Sequence, residues 1–191
     1  MAVTFDELKT TMEGTRLKFI SDPDREIIWV SVSGFNGVHH LLLKRVENGE
    51  GLLLRVPSLA TVRGEHPFKT KVLETLLVEN HRIKVGRFCY DQSDGEIYLD
   101  WFMPLEDGCL TLQQLKRCIS ALLHLADDLS PRLRHLLETG EDLPSDQIGI
   151  RGLLNSLLRE GMQRGLLSES DEIQLRRLLM QMEEGEEGSQ E

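Results

Sequence analysis

Two groups of side chains in this 191-residue chain have the right types to hold a metal or move a proton. One is the adjacent pair His39 and His40; the other is His124 with Asp127 and Asp128. The first pair falls in a strand-like run, where neighbouring side chains point to opposite faces, so joint ligation of one ion is difficult. The second puts an imidazole and two carboxylates on neighbouring helical positions, although that pattern more commonly marks a solvated polar face. His66, His81 and His135 lie near expected helix ends, and His135 suits the negative pole of a helix C-terminus. Cys118 belongs to an apolar helical stripe, and Cys109 has no basic partner nearby in sequence, so neither reads as a nucleophile. A nucleophile elbow, a phosphate-binding loop, a dinucleotide fingerprint and a zinc-protease helix are all missing from the sequence. The residues therefore argue against an enzyme and supply no catalytic, cofactor-binding or metal-binding set.

Charge points the same way. The net charge is −10, and it is uneven: residues 1–140 carry 17 Lys/Arg against 20 Asp/Glu, while residues 141–191 carry 5 against 12. Such acidity opposes phosphate backbones, so nucleic acid is not an expected partner. A 40% hydrophobic content supports a packed core. No apolar run approaches the ~20 residues of a membrane span. The start, Met1-Ala2-Val3-Thr4-Phe5-Asp6-Glu7, lacks the layout of a signal peptide. Three cysteines without close pair spacing fit a reducing compartment. The expectation is a cytoplasmic protein with no membrane contact.

The elements that position these side chains can be read from periodicity and caps. Thr4 with Glu7 forms a capping box, and Phe5, Leu8 and Met12 share one face of a helix ending at Gly14. Strand-like runs follow at Arg16–Ser21, Ile27–Ser33, Val38–Val46 and Leu52–Val56, linked by turns short enough for antiparallel pairing. Pro67 suits the first turn of a second helix ending near Asn80. A hairpin then runs from Arg82–Tyr90 through Asp94-Gly95 to Glu96–Met103. Thr111 with Gln114 caps a long helix, with Leu110 and Leu115 as its staple. Its stripe is Leu115, Cys118, Ile119, Leu122, Leu125, Ala126 and Leu129. Ser130-Pro131 is expected to interrupt or kink it before a further stretch to Thr139-Gly140. The expected class is α+β, an antiparallel sheet with helices packed on one face. The expected organisation is an α+β domain over residues 1–140, a linker at 141–149, a helical hairpin at 150–182 and a disordered acidic tail at 183–191.

Apolar surface is the strongest functional signal. In the last strand Ile97, Leu99, Trp101 and Met103 share one face and Tyr98, Asp100 and Phe102 the other. If the long helix covers the first set, Tyr98 and Phe102 stay open, and a regular preceding strand places Phe88 and Tyr90 beside them. A bulge at Gly86 would instead turn Phe88 and Tyr90 inward. The hairpin stripe containing Leu154 and Leu158 is a second candidate protein-binding surface, unless it packs within the chain.

Several short matches carry a resemblance. A helix ending in Val78-Glu79-Asn80 is followed by a strand with Gly86-Arg87-Phe88 and the turn Asp94-Gly95-Glu96. Pro104-Leu105 and the helix opened by Thr111 complete the order, which resembles the YbjN family. That family is described as bacterial sensory transduction regulators and has a fold like the class I chaperones of type III secretion. The similarity covers roughly residues 16–137. It implies a small, acidic, non-enzymatic, dimeric bacterial protein acting through protein contacts. The expected function is a chaperone-like adaptor that holds a client through apolar sheet and helix surfaces, as a homodimer and without cofactors. The alternative is a signal-transduction regulator acting by change of conformation or oligomeric state.

Overall fold

Two reciprocal capping boxes fix where helices begin. Thr4 accepts from the Glu7 amide and Thr111 from the Gln114 amide, and in each the third residue's side chain returns to the cap. The computed structural model describes residues 3–34, 36–106 and 108–143, together with 157, 160, 161, 164–168, 171 and 174. The chain divides into two units, Met1–Asp142 and Leu143–Glu191. The first contains α1 (Phe5–Glu13), β1 (Phe19–Asp22), β2 (Ile27–Ser33), β3 (Val38–Val46) and β4 (Gly51–Thr61). It continues with α2 (Lys69–Arg82), β5 (Arg87–Tyr90), β6 (Glu96–Pro104) and α3 (Leu112–Thr139). The expected hairpin, linker and tail fall almost entirely outside the described residues. Among the described residues, no helix is long and apolar enough to cross a membrane.

The strands form one antiparallel six-stranded sheet in the order β1-β2-β3-β4-β6-β5. Period-2 alternation sorts it into two faces. Ile28, Val30, Leu41, Leu43, Leu52, Leu54, Val56, Ile97 and Leu99 are buried, and Leu8, Met12, Val72, Leu115, Ile119, Leu122 and Leu133 from the helices join them in one core. The helices therefore lie on one face of an α+β fold, and no helix among the described residues of this unit covers the opposite sheet face. Burying that core set stabilises the fold by about 1.5–3 kcal/mol per large side chain.

Several placements differ from the sequence reading, the start of β5 at Arg87 instead of Arg82 among them. Pro67 precedes α2 without entering it, and the helix begins at Lys69 after Phe68. β4 runs past Val56 to Thr61 through an irregularity at Pro57–Leu59. Pro131 does not end or divide α3, which is one helix of 28 residues.

The reason for that continuity lies outside the helix. A proline in a helix interior leaves the carbonyl four residues back without a donor, here that of Asp127. The side-chain amide of Asn36 donates to this oxygen at 3.0 Å. The Asn36 backbone N–H donates to Asp127 Oδ1 at 2.9 Å, and His39 Nε2 lies 2.8 Å from the same oxygen. An accepting Oδ1 assigns the imidazole proton to Nε2. Gly34 completes the clasp, because a Cβ there would stand 2.3 Å from Asp127 Oδ1. The start of β3 is thus tied to the middle of α3.

A second polar anchor joins the helices. The buried Arg132 donates from Nε to Asp142 at 2.6 Å and also bonds Glu79 of α2. At the far edge, Asn80 takes the Phe88 amide at 2.7 Å and donates to the Phe88 carbonyl at 2.9 Å, so α2 covers the free edge of β5.

Two outcomes are expected. Asn36→Ala should cost about 1–2 kcal/mol by urea unfolding, and the loss should shrink by half or more with Pro131→Ala, which restores an N–H to the Asp127 carbonyl. Equal losses in both backgrounds would refute the role given to Asn36. Asn80→Ala should raise hydrogen exchange at the Phe88 amide on the order of tenfold while leaving the β3 amides unchanged.

Candidate functional site

The uncovered sheet face is built by the side chains that alternate with the core. Across the middle of the sheet, Ile20 pairs with Trp29, Trp29 with Leu42, Leu42 with Arg55, and Arg55 with Asp100. One step along, Ile27, Lys44, Leu53 and Phe102 form a second row. Cross-strand partners share a face, so these rows describe one surface. Ile20 is 75% exposed, Trp29 41% and Phe102 38%, whereas Leu42, Leu53 and Tyr98 are half-buried. Large apolar groups left in water on one strand after another are uncommon on a surface with no partner.

The centre of this face is polar. Arg55 donates from Nε and Nη2 to the two oxygens of Asp100 at 2.7 and 2.8 Å, and its guanidinium lies 4.1 Å over the Tyr98 ring. The bond to Asp100 holds the Arg55 guanidinium protonated above its ordinary range. Asp100 is buried although its side chain points away from the helices, so Arg55 is what keeps that carboxylate from being buried without a partner. Burial pushes both the Tyr98 phenol and the Cys89 thiol up. A thiol shifted that way is a poor nucleophile.

The six residues singled out from the sequence have separate fates. Tyr98 and Phe102 occupy the open face. Phe88 and Tyr90 do not: Phe88 pairs with Leu99 and Tyr90 with Ile97, which puts both on the helix-covered side. Phe88 is buried, and Tyr90 is half-buried with its hydroxyl donating to the Val62 carbonyl at 3.3 Å. This corrects the expectation of a four-ring patch. Alternation was carried from Arg82, but α2 extends to Arg82 and β5 starts only at Arg87, after Gly86 at φ 72°. The positive φ resets which way the following side chains point. Leu154 and Leu158 lie outside the described residues.

Ile20, Trp29, Leu42 and Leu53 belong to the face and went unnoticed in the sequence. Their signal was the alternation of Trp29 with Ile28 and Val30, which places an indole opposite the core. The polar groups weighed for catalysis do not converge. His39 enters the clasp, while His40 points to the other face beside Ser31 Oγ at 2.9 Å. His124 bonds the carbonyl of Ser120 on its own helix, and Asp128 is exposed while Asp127 is buried. Among the described residues no three His, Cys, Asp or Glu side chains are grouped to hold a metal ion.

A gap interrupts the sheet. Toward one end β3 and β4 separate and leave a cleft of about 520 Å³, opening between Val38, His40 and Trp29 on one side and Pro57, Leu59 and Ala60 on the other. Ser130, Arg134 and Leu137 of α3 also line it.

No family model matches the sequence, and no curated protein does. Solved structures do match. YbjN from E. coli, a candidate transcription regulator, is 14% identical, with 75% of this chain and 98% of that chain covered and a TM-score of 0.53. A chain of the ExsC-ExsE complex is 21% identical over 70% of this chain and 97% of its own, with a TM-score of 0.49. A chain of the HopA1-SchA chaperone-effector complex is 18% identical over 65% and 94%, with a TM-score of 0.45. At such identities the likeness is one of fold, and the six-stranded sheet with its one-sided helical layer is similar in fold to YbjN.

Proposed function

We propose that this protein is a non-enzymatic, cytoplasmic adaptor that holds a client polypeptide, and that its first unit does so through the uncovered sheet face. The observation that carries this reading is the alignment of Ile20, Trp29, Leu42, Leu53 and Phe102 on successive strands, with nothing from α1, α2 or α3 over them. Such a face removes water from a partner's apolar side chains without any covalent step. The Arg55–Asp100 pair in its midst gives the surface a fixed polar centre, which favours partners with matching donors and acceptors.

Magnitude limits what the face does alone. Completing the burial of the exposed parts of Ile20, Trp29 and Phe102 contributes about 4 kcal/mol. Association itself costs an estimated 4–15 kcal/mol in lost translational and rotational freedom. The apolar contacts thus attract and orient a client, and further contacts are needed to retain it.

An exposed apolar face also serves self-association, and the alternative reading is a regulator whose output is a change of oligomeric state. The two readings separate on stoichiometry. In the adaptor reading the protein co-purifies from its native cells with one stoichiometric partner; in the regulator reading it exchanges between monomer and homodimer.

Ile20→Asp combined with Phe102→Asp tests both, since each side chain is exposed and its replacement leaves the core intact. The variant should unfold cooperatively as before, while the partner, or the dimer mass measured by light scattering, should disappear. Retention of both the partner and the mass would rule the sheet face out as the binding surface.

A further inference from the structure

The cleft between β3 and β4 is a break in a hydrogen-bonded ladder, and the sequence accounts for the break. The two strands pair from Val46 opposite Gly51 to Leu42 opposite Arg55. Continuing that register sets His40 opposite Pro57, and a proline has no N–H to give a neighbouring strand. Beyond this point, among the described residues, Val38–Leu41 pair only with β2, and Val56, Ala60 and Thr61 only with β6. The Pro57–Leu59 bulge is drawn toward β6, because the Ser58 amide and hydroxyl both donate to Glu96 Oε1, at 2.8 and 2.9 Å. On the other side, the Asn36 and His39 contacts with Asp127 hold the start of β3 against α3.

The backbone beside the cleft is oriented to accept a strand. The Arg45 amide donates to the Glu26 carbonyl, toward β2. Alternation then aims the odd-numbered residues of β3 at β2 and the even-numbered Val38 and His40 into the cleft. No strand among the described residues pairs with that edge. Charge narrows the occupant. In a chain of net charge −10, no Asp or Glu lines this cleft. Arg134 does line it, is exposed, and makes no ion pair among the described residues. Asp127, Ser130, Arg134 and Leu137 follow one another at helical spacing, so the helix stripe that clasps β3 also presents this cation. Trp29, Leu59 and Leu137 supply apolar walls.

We propose that the cleft receives one extended segment of a partner polypeptide as an added strand between β3 and β4, with an Asp or Glu side chain of that segment meeting Arg134 and its apolar residues meeting Trp29, Leu59 and Leu137. This rests on the protein-binding reading and names the contact that retains the client. A volume of about 520 Å³ suits a short stretch of extended chain, and main-chain bonding gives affinity while side-chain pockets give specificity.

The test uses the full chain and random peptides displayed on phage. A selected peptide is then synthesised with a fluorophore and titrated by fluorescence polarisation. The expected peptides alternate apolar residues around an acidic one. Arg134→Glu should weaken binding roughly tenfold, and Arg134→Lys by less than about threefold. Backbone N-methylation of the peptide should weaken binding roughly tenfold at alternate positions and little between them. Leu77→Asp, on the exposed side of α2, should leave the affinity within about threefold. Indifference to Arg134→Glu, or tolerance of N-methylation at every position, overturns the proposal, as does failure to enrich any peptide. Sensitivity to Phe102→Asp in place of Arg134→Glu overturns the cleft while leaving the sheet-face adaptor standing.

Discussion

A single carbonyl organises the end of the sheet where the cleft opens. Pro131 deprives the Asp127 oxygen of its helical donor, and the side chain of Asn36 supplies the replacement. A buried carbonyl without a donor costs about 1–3 kcal/mol, so the proline creates a demand that a group from another element must meet. The same residue's carboxylate gathers the Asn36 amide and His39 within 2.9 Å. Backbone and side chain of one residue therefore dock the β2–β3 connection onto α3. Gly34 is required at the contact because any Cβ would collide with the carboxylate.

That docking governs the sheet. Strands in an antiparallel meander ordinarily pair along their whole shared length, and β3 and β4 stop doing so at Leu42 and Arg55. Pro57 removes the donor that the next rung needs, Glu96 draws the bulge toward β6, and the Asp127 clasp holds β3 on the helix. Each act is local, yet together they open an edge inside the sheet where a continuous surface would otherwise lie. An internal edge is also better protected than an outer one. Neighbouring strands limit what can reach it, which lowers the aggregation hazard that a bare edge carries. The outer edge at β5 is covered differently, by Asn80 bonding both backbone groups of Phe88.

Much of this was legible in the residues. β2 and β3 have the boundaries that alternation predicts, and both capping boxes form as their Thr-x-x-Glu/Gln spacing requires. These signals are strong because they are local: a cap or an alternating strand contains its own reason. The errors came where a distant partner decides. Pro131 reads as a break until Asn36, remote in sequence, supplies the missing bond. The sequence leaves Phe88 and Tyr90 open between a regular strand and an irregularity at Gly86, and the positive φ there goes with their facing the core. Tyr98 and Phe102 lie on the open sheet face as alternation along the regular β6 predicts. Trp29 carries the same signal, since it alternates with buried Ile28 and Val30, and Ile20 is its cross-strand partner.

The two candidate surfaces divide the work of recognition in a way their chemistry dictates. Apolar groups such as Ile20, Trp29 and Phe102 gain from contact with nearly any greasy side chain, so by themselves they discriminate poorly. In the proposed cleft, the backbone of Val38 and His40 aimed away from β2 would favour an extended chain and Arg134 a negative one, so discrimination there would rest on conformation and charge. Trp29 belongs to both, standing on the open face and lining the cleft. A client that buries this indole while seated as a strand gains the apolar contacts and the main-chain bonds together. One that is merely hydrophobic gains the first alone. Specificity here is the difference between those two outcomes, and it exists because a proline and a bulge kept two neighbouring strands apart.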